Sequence, residues 1–220
     1  MQFAKPYKKL NIYHITFETQ FLITSTLIRI QEFYESNIPA IQNHYFSLES
    51  LIHEYTISND GDFDYFTKWS GFNFPGELLV NFLNKFTKHI SNKEHEFITF
   101  LQNNIDLLNN EKYYVISTYR DEDINHEIAH GLYYLNSNYK EQMDKLTADL
   151  YSEIYECMYE QLDSAGYCNE VIYDEIQAYM LSNHEDLEAF LGIRVPKEVH
   201  NKYLEVYKNV LDKEEKNNSN

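Results

Sequence analysis

Apolar positions recur every three or four residues along most of this chain, the period of helices with one buried face. Residues 19–36 show it first, through Ile23, Leu27, Ile30 and Tyr34, and Asn37-Ile38-Pro39 closes that segment. Ser47 opens a second helix, with Leu48, Leu51, Ile52 and Tyr55 on its face and a weak capping box in Ser47-Leu48-Glu49-Ser50. Pro75 leads a third to about His89, and Ser91-Asn92-Lys93-Glu94 caps a fourth. Ile124, Ile128, Leu132 and Leu135 mark a further helix, capped by Asp121 or Asp123. One long helix is predicted from Tyr139 to Asp163, stopped by Ser164-Ala165-Gly166. Another follows from Cys168 to Leu181, then a short segment to Leu191, and Pro196 opens the last helix.

Two segments read as strands. Residues 11–18 set Ile12 and His14 against Tyr13, Ile15 and Phe17. Residues 112–119 are dense in β-branched and aromatic side chains, and end just before the helix at Ile124. A strand so placed can offer an exposed edge to an extended peptide. Turns are predicted at Asn59–Asp62 and Asn109–Glu111. Between them Phe63, Tyr65, Phe66, Trp69, Phe72 and Phe74 crowd together, as core packing rather than as the wall of a groove. Asp60, Asp62 and Asp64 lack the closing glutamate of a calcium loop. The fold class is therefore α+β, predominantly helical, with a small sheet beside the helix at 124–135. It reads as a single domain over residues 1–212, a helical half 1–110 followed by a half 111–212, with a disordered tail over 213–220.

Composition narrows the functions. Six glycines and four prolines argue for helices with short connections. A net charge of −17 disfavours nucleic acid and an anionic membrane surface, and otherwise maintains solubility. Two cysteines, Cys157 and Cys168, make no disulfide framework and read as free thiols. Met1–Leu10 carries lysines but no apolar stretch follows, and Phe21–Ile30 is too polar to span a bilayer. A cytoplasmic protein is expected, although export without a leader leaves no readable signal. Nothing in the sequence sets the oligomeric state.

The chemistry lies in Ile124-Asn125-His126-Glu127-Ile128-Ala129-His130-Gly131-Leu132. On a helix His126 and His130 share one face, one turn apart, and both imidazoles can reach one metal ion. Glu127 lies about 100° round the axis, where a carboxylate can act on a water without binding the metal. Three fixed positions arise by accident in about a few per cent of such chains, so an exposed helix carrying two histidines is the plain alternative. A zinc site needs a third protein ligand. Glu175 in Asp-Glu-Ile-Gln-Ala-Tyr is the best candidate, with Glu170, Asp174 and His184 as alternatives, and the small Ala178 allows close helix packing.

These residues resemble the zincin metallopeptidases, and more narrowly the gluzincins, which join His-Glu-x-x-His to a later Glu-x-x-Ala helix. The matching residues are His126, Glu127, His130, Glu175 and Ala178, within about residues 113–181. His-Glu-Ile-Ala-His-Gly-Leu-Tyr-Tyr-Leu-Asn is also similar to a group of small bacterial proteins of unassigned function. The resemblance implies zinc held by His126, His130 and Glu175, with Glu127 as general base on a protein or peptide substrate. Tyr179 stands where many gluzincins carry an aspartate that orients a ligand, and with Tyr173 and His184 is a candidate oxyanion stabiliser. Asn136 occupies the third-histidine position of the metzincins, which excludes that branch. Two rival readings remain: a catalytically weak or inactive binding protein on the same scaffold, with Cys168 or Glu170 closing the coordination, or a metal hydrolase of a non-peptide amide.

Overall fold

The computed structural model describes residues 7–105, 112–120 and 124–218. Four strands form one sheet in the order β1-β2-β4-β3: β1 Tyr7–Lys9, β2 Ile12–Thr16, β3 Gly71–Pro75 and β4 Tyr114–Thr118. β2 and β4 run parallel, with Ile12 opposite Tyr114 and Thr16 opposite Thr118, while β1 and β3 pair antiparallel at the edges.

Helices cover both faces of the sheet. α1 Gln20–Glu35, α2 Leu48–Ser58, α3 Tyr65–Lys68, α4 Gly76–Phe86 and α5 Asn92–Asn104 precede β4. Their core takes Tyr13, Ile15, Phe72, Phe74 and Val115 from one face of the sheet. After β4 come α6 Ile124–Leu135, α7 Ser137–Ala148, α8 Ser152–Ala165, α9 Ile172–Tyr179, α10 His184–Leu191 and α11 Lys197–Asn218. Their core takes Ile12, Tyr114 and Ile116 from the other face. The period-two alternation of residues 12–17 thus separates two buried faces, and β4 is buried at every position.

Local chemistry explains most boundaries. The Thr19 and Ser47 hydroxyls accept from Leu22 and Ser50 backbone N–H, capping α1 and α2, although Ser50 supplies no reciprocal carboxylate and α2 has no full capping box. Ser91 and Glu94 make the full box on α5. Gly166, left-handed with φ 103°, ends α8. Asp64 accepts from the Tyr55 hydroxyl at 2.8 Å, a structural use of the last of the three alternating aspartates.

Four expectations change. The single helix predicted over Tyr139–Asp163 is two, broken at 149–151, so that α7 packs on α11 while α8 turns onto α9 and α10. β3 comes from the aromatic cluster, where Gly71 before Phe72 and Asn73 between Phe72 and Phe74 dilute the apolar signal. β4 lies between β2 and β3, so it has no free edge for a peptide. The α11 backbone continues to Asn218, through the segment from Lys213 that reads as a tail; its lysines and glutamates are good helix formers. The predicted turn at 109–111 and the caps Asp121 and Asp123 lie outside the described residues. Both cysteines are free thiols, and among the described residues no helix is long and apolar enough to cross a membrane.

Candidate metal centre

α6 lies against β3 and β4 on one side and against α9 on the other. Small residues permit the approach. A Cβ on Gly131 would stand 2.6 Å from Ile12 Cδ1, and Ala129 and Ala178 are wholly buried. This packing brings α6 and α9 side by side with His126, His130 and Glu175 between them.

The three side chains converge, with one ligand atom from each lying within 4.8 Å of the others. His126 Nε2 and His130 Nε2 are 3.2 Å apart. Two nitrogens bound to one tetrahedral zinc stand about 3.3 Å apart, given bonds of about 2.05 Å. Glu175 approaches His130 Nε2 with Oε1 at 3.6 Å and His126 Nε2 with Oε2 at 4.0 Å. Glu175 Oε2 is buried and has no hydrogen-bond partner among the described residues. A buried carboxylate oxygen without a partner is costly, and a cation between it and the two nitrogens removes the cost. The residues therefore fit a metal ion.

The far sides of the ligands are fixed. His130 Nδ1 stands 2.8 Å from Asp174 Oδ1. The Gln177 amide donates to the same oxygen at 2.9 Å, and the Tyr139 hydroxyl donates to Gln177 at 2.7 Å, all buried. The Ala178 carbonyl accepts from the His126 ring, which also meets the Tyr179 ring edge to face at 5.0 Å. Tyr179 in turn stacks on Phe190 at 4.6 Å. Carboxylate and carbonyl partners of this kind hold metal-binding imidazoles in one tautomer and orientation.

The electrostatics are lopsided. Burial and the neighbouring His130 push His126 down to about 3, so its ring is neutral. His130 is held well above the ordinary histidine range: burial opposes its charge, but Asp174, Glu175 and Glu127 outweigh that. Burial pushes Glu175 up, and also Glu35, whose rise is increased by the nearby Glu175 charge.

A cavity of about 550 Å³ opens on this group. Its lining includes His126, Glu127, Glu175, Tyr179 and Tyr167 together with Glu35, Trp69 and residues 70–73. Glu127 is 4% exposed and reaches the cavity beside β3. Trp69 and Tyr65 are cavity wall as well as packing, so the aromatic cluster serves both purposes.

The other candidates lie elsewhere. His184 Nε2 bonds the Val195 carbonyl at 2.8 Å, and Tyr173 packs on Tyr155; neither lines the cavity. Glu170 is exposed beside Cys168, and neither reaches the metal group. Asp174 orients His130, a role the sequence reading left open at Tyr179. Tyr167, Glu35 and Gly71 carry no sequence signal of their own; only the fold brings them to the site. Compared with protein-family models, curated proteins and solved structures, the chain matches none.

Proposed function

We propose that this protein is a zinc-dependent peptidase whose centre is His126, His130 and Glu175, with Glu127 as general base. The observation that carries the reading is the pair of Nε2 atoms 3.2 Å apart, facing an unpartnered buried carboxylate oxygen, with Glu127 beside them in an open cavity. Two imidazoles and one carboxylate leave a fourth position free, the pattern of a catalytic rather than a structural zinc. The rival binding-protein reading, a closed site completed by Cys168 or Glu170, has no support in their positions.

Zinc held by His126, His130 and Glu175 would lower the pKa of a bound water towards about 7 and would polarise a carbonyl. Glu127 takes the proton of the attacking water and delivers it to the leaving nitrogen. Asp174 keeps His130 aimed at the metal. Tyr179 and Tyr167 hold their hydroxyl protons, both being pushed up by burial and by the charge of Glu175. They are thus donors at neutral pH, suited to a developing oxyanion. The similarity to gluzincins supports the reading, with Asp174 in place of the aspartate those enzymes carry on the other side of the glutamate.

Cleavage of a complex peptide mixture by the zinc-loaded protein tests the proposal. Fragments should appear, vanish with chelator and return with zinc. Glu127→Gln should keep its zinc and lose about a hundredfold to ten-thousandfold in turnover. Full turnover in that variant excludes the mechanism; stable zinc with no cleavage favours a binding protein, and release from non-peptide amides alone favours the other hydrolase.

A further inference from the structure

Gly71 opens the edge strand β3. Its φ is not among the positive values of the chain, so its backbone does not require glycine. What requires glycine is Glu127. A Cβ on Gly71 would stand 2.0 Å from Glu127 Oε1, 2.7 Å from Cδ and 3.2 Å from Cγ. The carboxylate occupies the volume that any side chain at position 71 would fill. The other close glycine approaches differ in kind: Gly76 meets the Tyr113 ring and Gly131 the Ile12 side chain, both apolar packing.

The strand beneath the carboxylate is held firmly. Phe72 and Phe74 are buried in the N-terminal core, and β3 pairs with β4 along its length. Asn73 N–H donates to Gln31 Oε1 at 3.1 Å, and the Tyr114 hydroxyl donates to Asn73 Oδ1 at 2.5 Å. Gly71 and Asn73 belong to the same face of the sheet, the one against which α6 packs. Glu127 therefore rests on a fixed surface instead of standing free in the cavity.

We infer that Gly71 is a positioning residue for Glu127: the missing Cβ lets β3 seat the carboxylate beside the metal group. The purpose of this seating rests on the peptidase reading; the contact itself does not. A methyl group at position 71 displaces the carboxylate and leaves His126, His130 and Glu175 alone.

The test is Gly71→Ala. The zinc-loaded variant should hold one zinc and keep its KM, while kcat falls about ten- to a hundredfold, since a misplacement of about 1 Å can cost that much. Glu127→Asp withdraws the acid by one carbon and makes room. The double variant should thus turn over no more slowly than Glu127→Asp alone, where independent effects would multiply. A second readout needs neither metal nor activity. Gly71→Ala should lower the melting temperature of the metal-free protein by about 3 °C, and the loss should vanish in the Glu127→Ala background. A kcat within twofold of the parent overturns the inference, as does a melting loss that persists in full without Glu127. If Gly71→Ala fails to fold, folding of the Gly71→Ala/Glu127→Ala pair upholds the contact and its failure refutes it. If the parent protein cleaves nothing, the peptidase reading falls and the melting cycle still decides the contact.

Discussion

Asp174 and Glu175 are neighbours in the chain and face different partners. One turns its oxygen to the far nitrogen of His130; the other turns to the near ones. Which carboxylate does which depends on how α9 is rotated about its axis, and the sequence leaves that rotation open. Asp174 is accordingly legible only as an alternative ligand, and Glu175 is favoured by the small Ala178 three residues on and by the resemblance. Asp174→Asn retains the shape but not the charge, and an amide can present its nitrogen to His130. Zinc affinity should fall about ten- to a hundredfold, measured by competition with a chromophoric chelator. An unchanged affinity would mean that the Asp174 contact does not tune the site.

At the scale of elements, a buried ion pair ties the helical layer before β4. Arg29 on α1 meets Glu94 at the start of α5, with side chains 7% and 3% exposed. The guanidinium Nε donates to Glu94 Oε1 at 2.7 Å, and an Nη donates to the His89 carbonyl at 2.9 Å. Glu94 also accepts from Ser91 N–H in the capping box. Glu94→Ala leaves a buried guanidinium without its counter-charge and uncaps α5. It should cost about 3–5 kcal/mol, read from the midpoint of urea unfolding. The reverse change, removing both charges for apolar side chains of similar volume, should cost much less.

The same scale shows what the sequence reveals and what it conceals. The capping box at Ser91 and Glu94 was readable because every atom it uses lies within four residues. The pair of histidines was readable for the same reason: one helical turn places them. The break between α7 and α8 was not, because Leu146, Leu150 and Ile154 keep the helical period across it, and only packing on α11 and α10 separates the two. β3 was hidden because its register is set by β4, over forty residues downstream, where Phe74 faces Val115.

For the whole molecule, the unusual count is 20 tyrosines, many of them deep in the two cores. Burial raises the hydroxyls of Tyr65, Tyr114 and Tyr139 well above the ordinary value, and that of Tyr113 to about 12. A group whose folded pKa is raised stabilises the fold fully below its unfolded pKa, here about 10, and that contribution is lost as pH rises through the folded value. The contribution of these tyrosines should therefore be constant near neutrality and be lost as pH rises above about 10. Absorbance of tyrosinate near 295 nm should rise in one cooperative step together with the loss of helical circular dichroism. A gradual rise with the fold intact would show that these hydroxyls are open to solvent.

The parallel pairing of β2 with β4 has a kinetic consequence. Ile12 meets Tyr114 only after a loop of about a hundred residues has closed, and such distant pairings are slow to form because chain entropy is lost before contacts repay it. Gly71, Trp69 and Glu35 all lie inside that loop, while His126, His130 and Glu175 follow it. On a ribosome, the last wall of the cavity emerges when most of the chain is already made, so an ion held by these three residues would enter at the end of folding and could not guide its beginning.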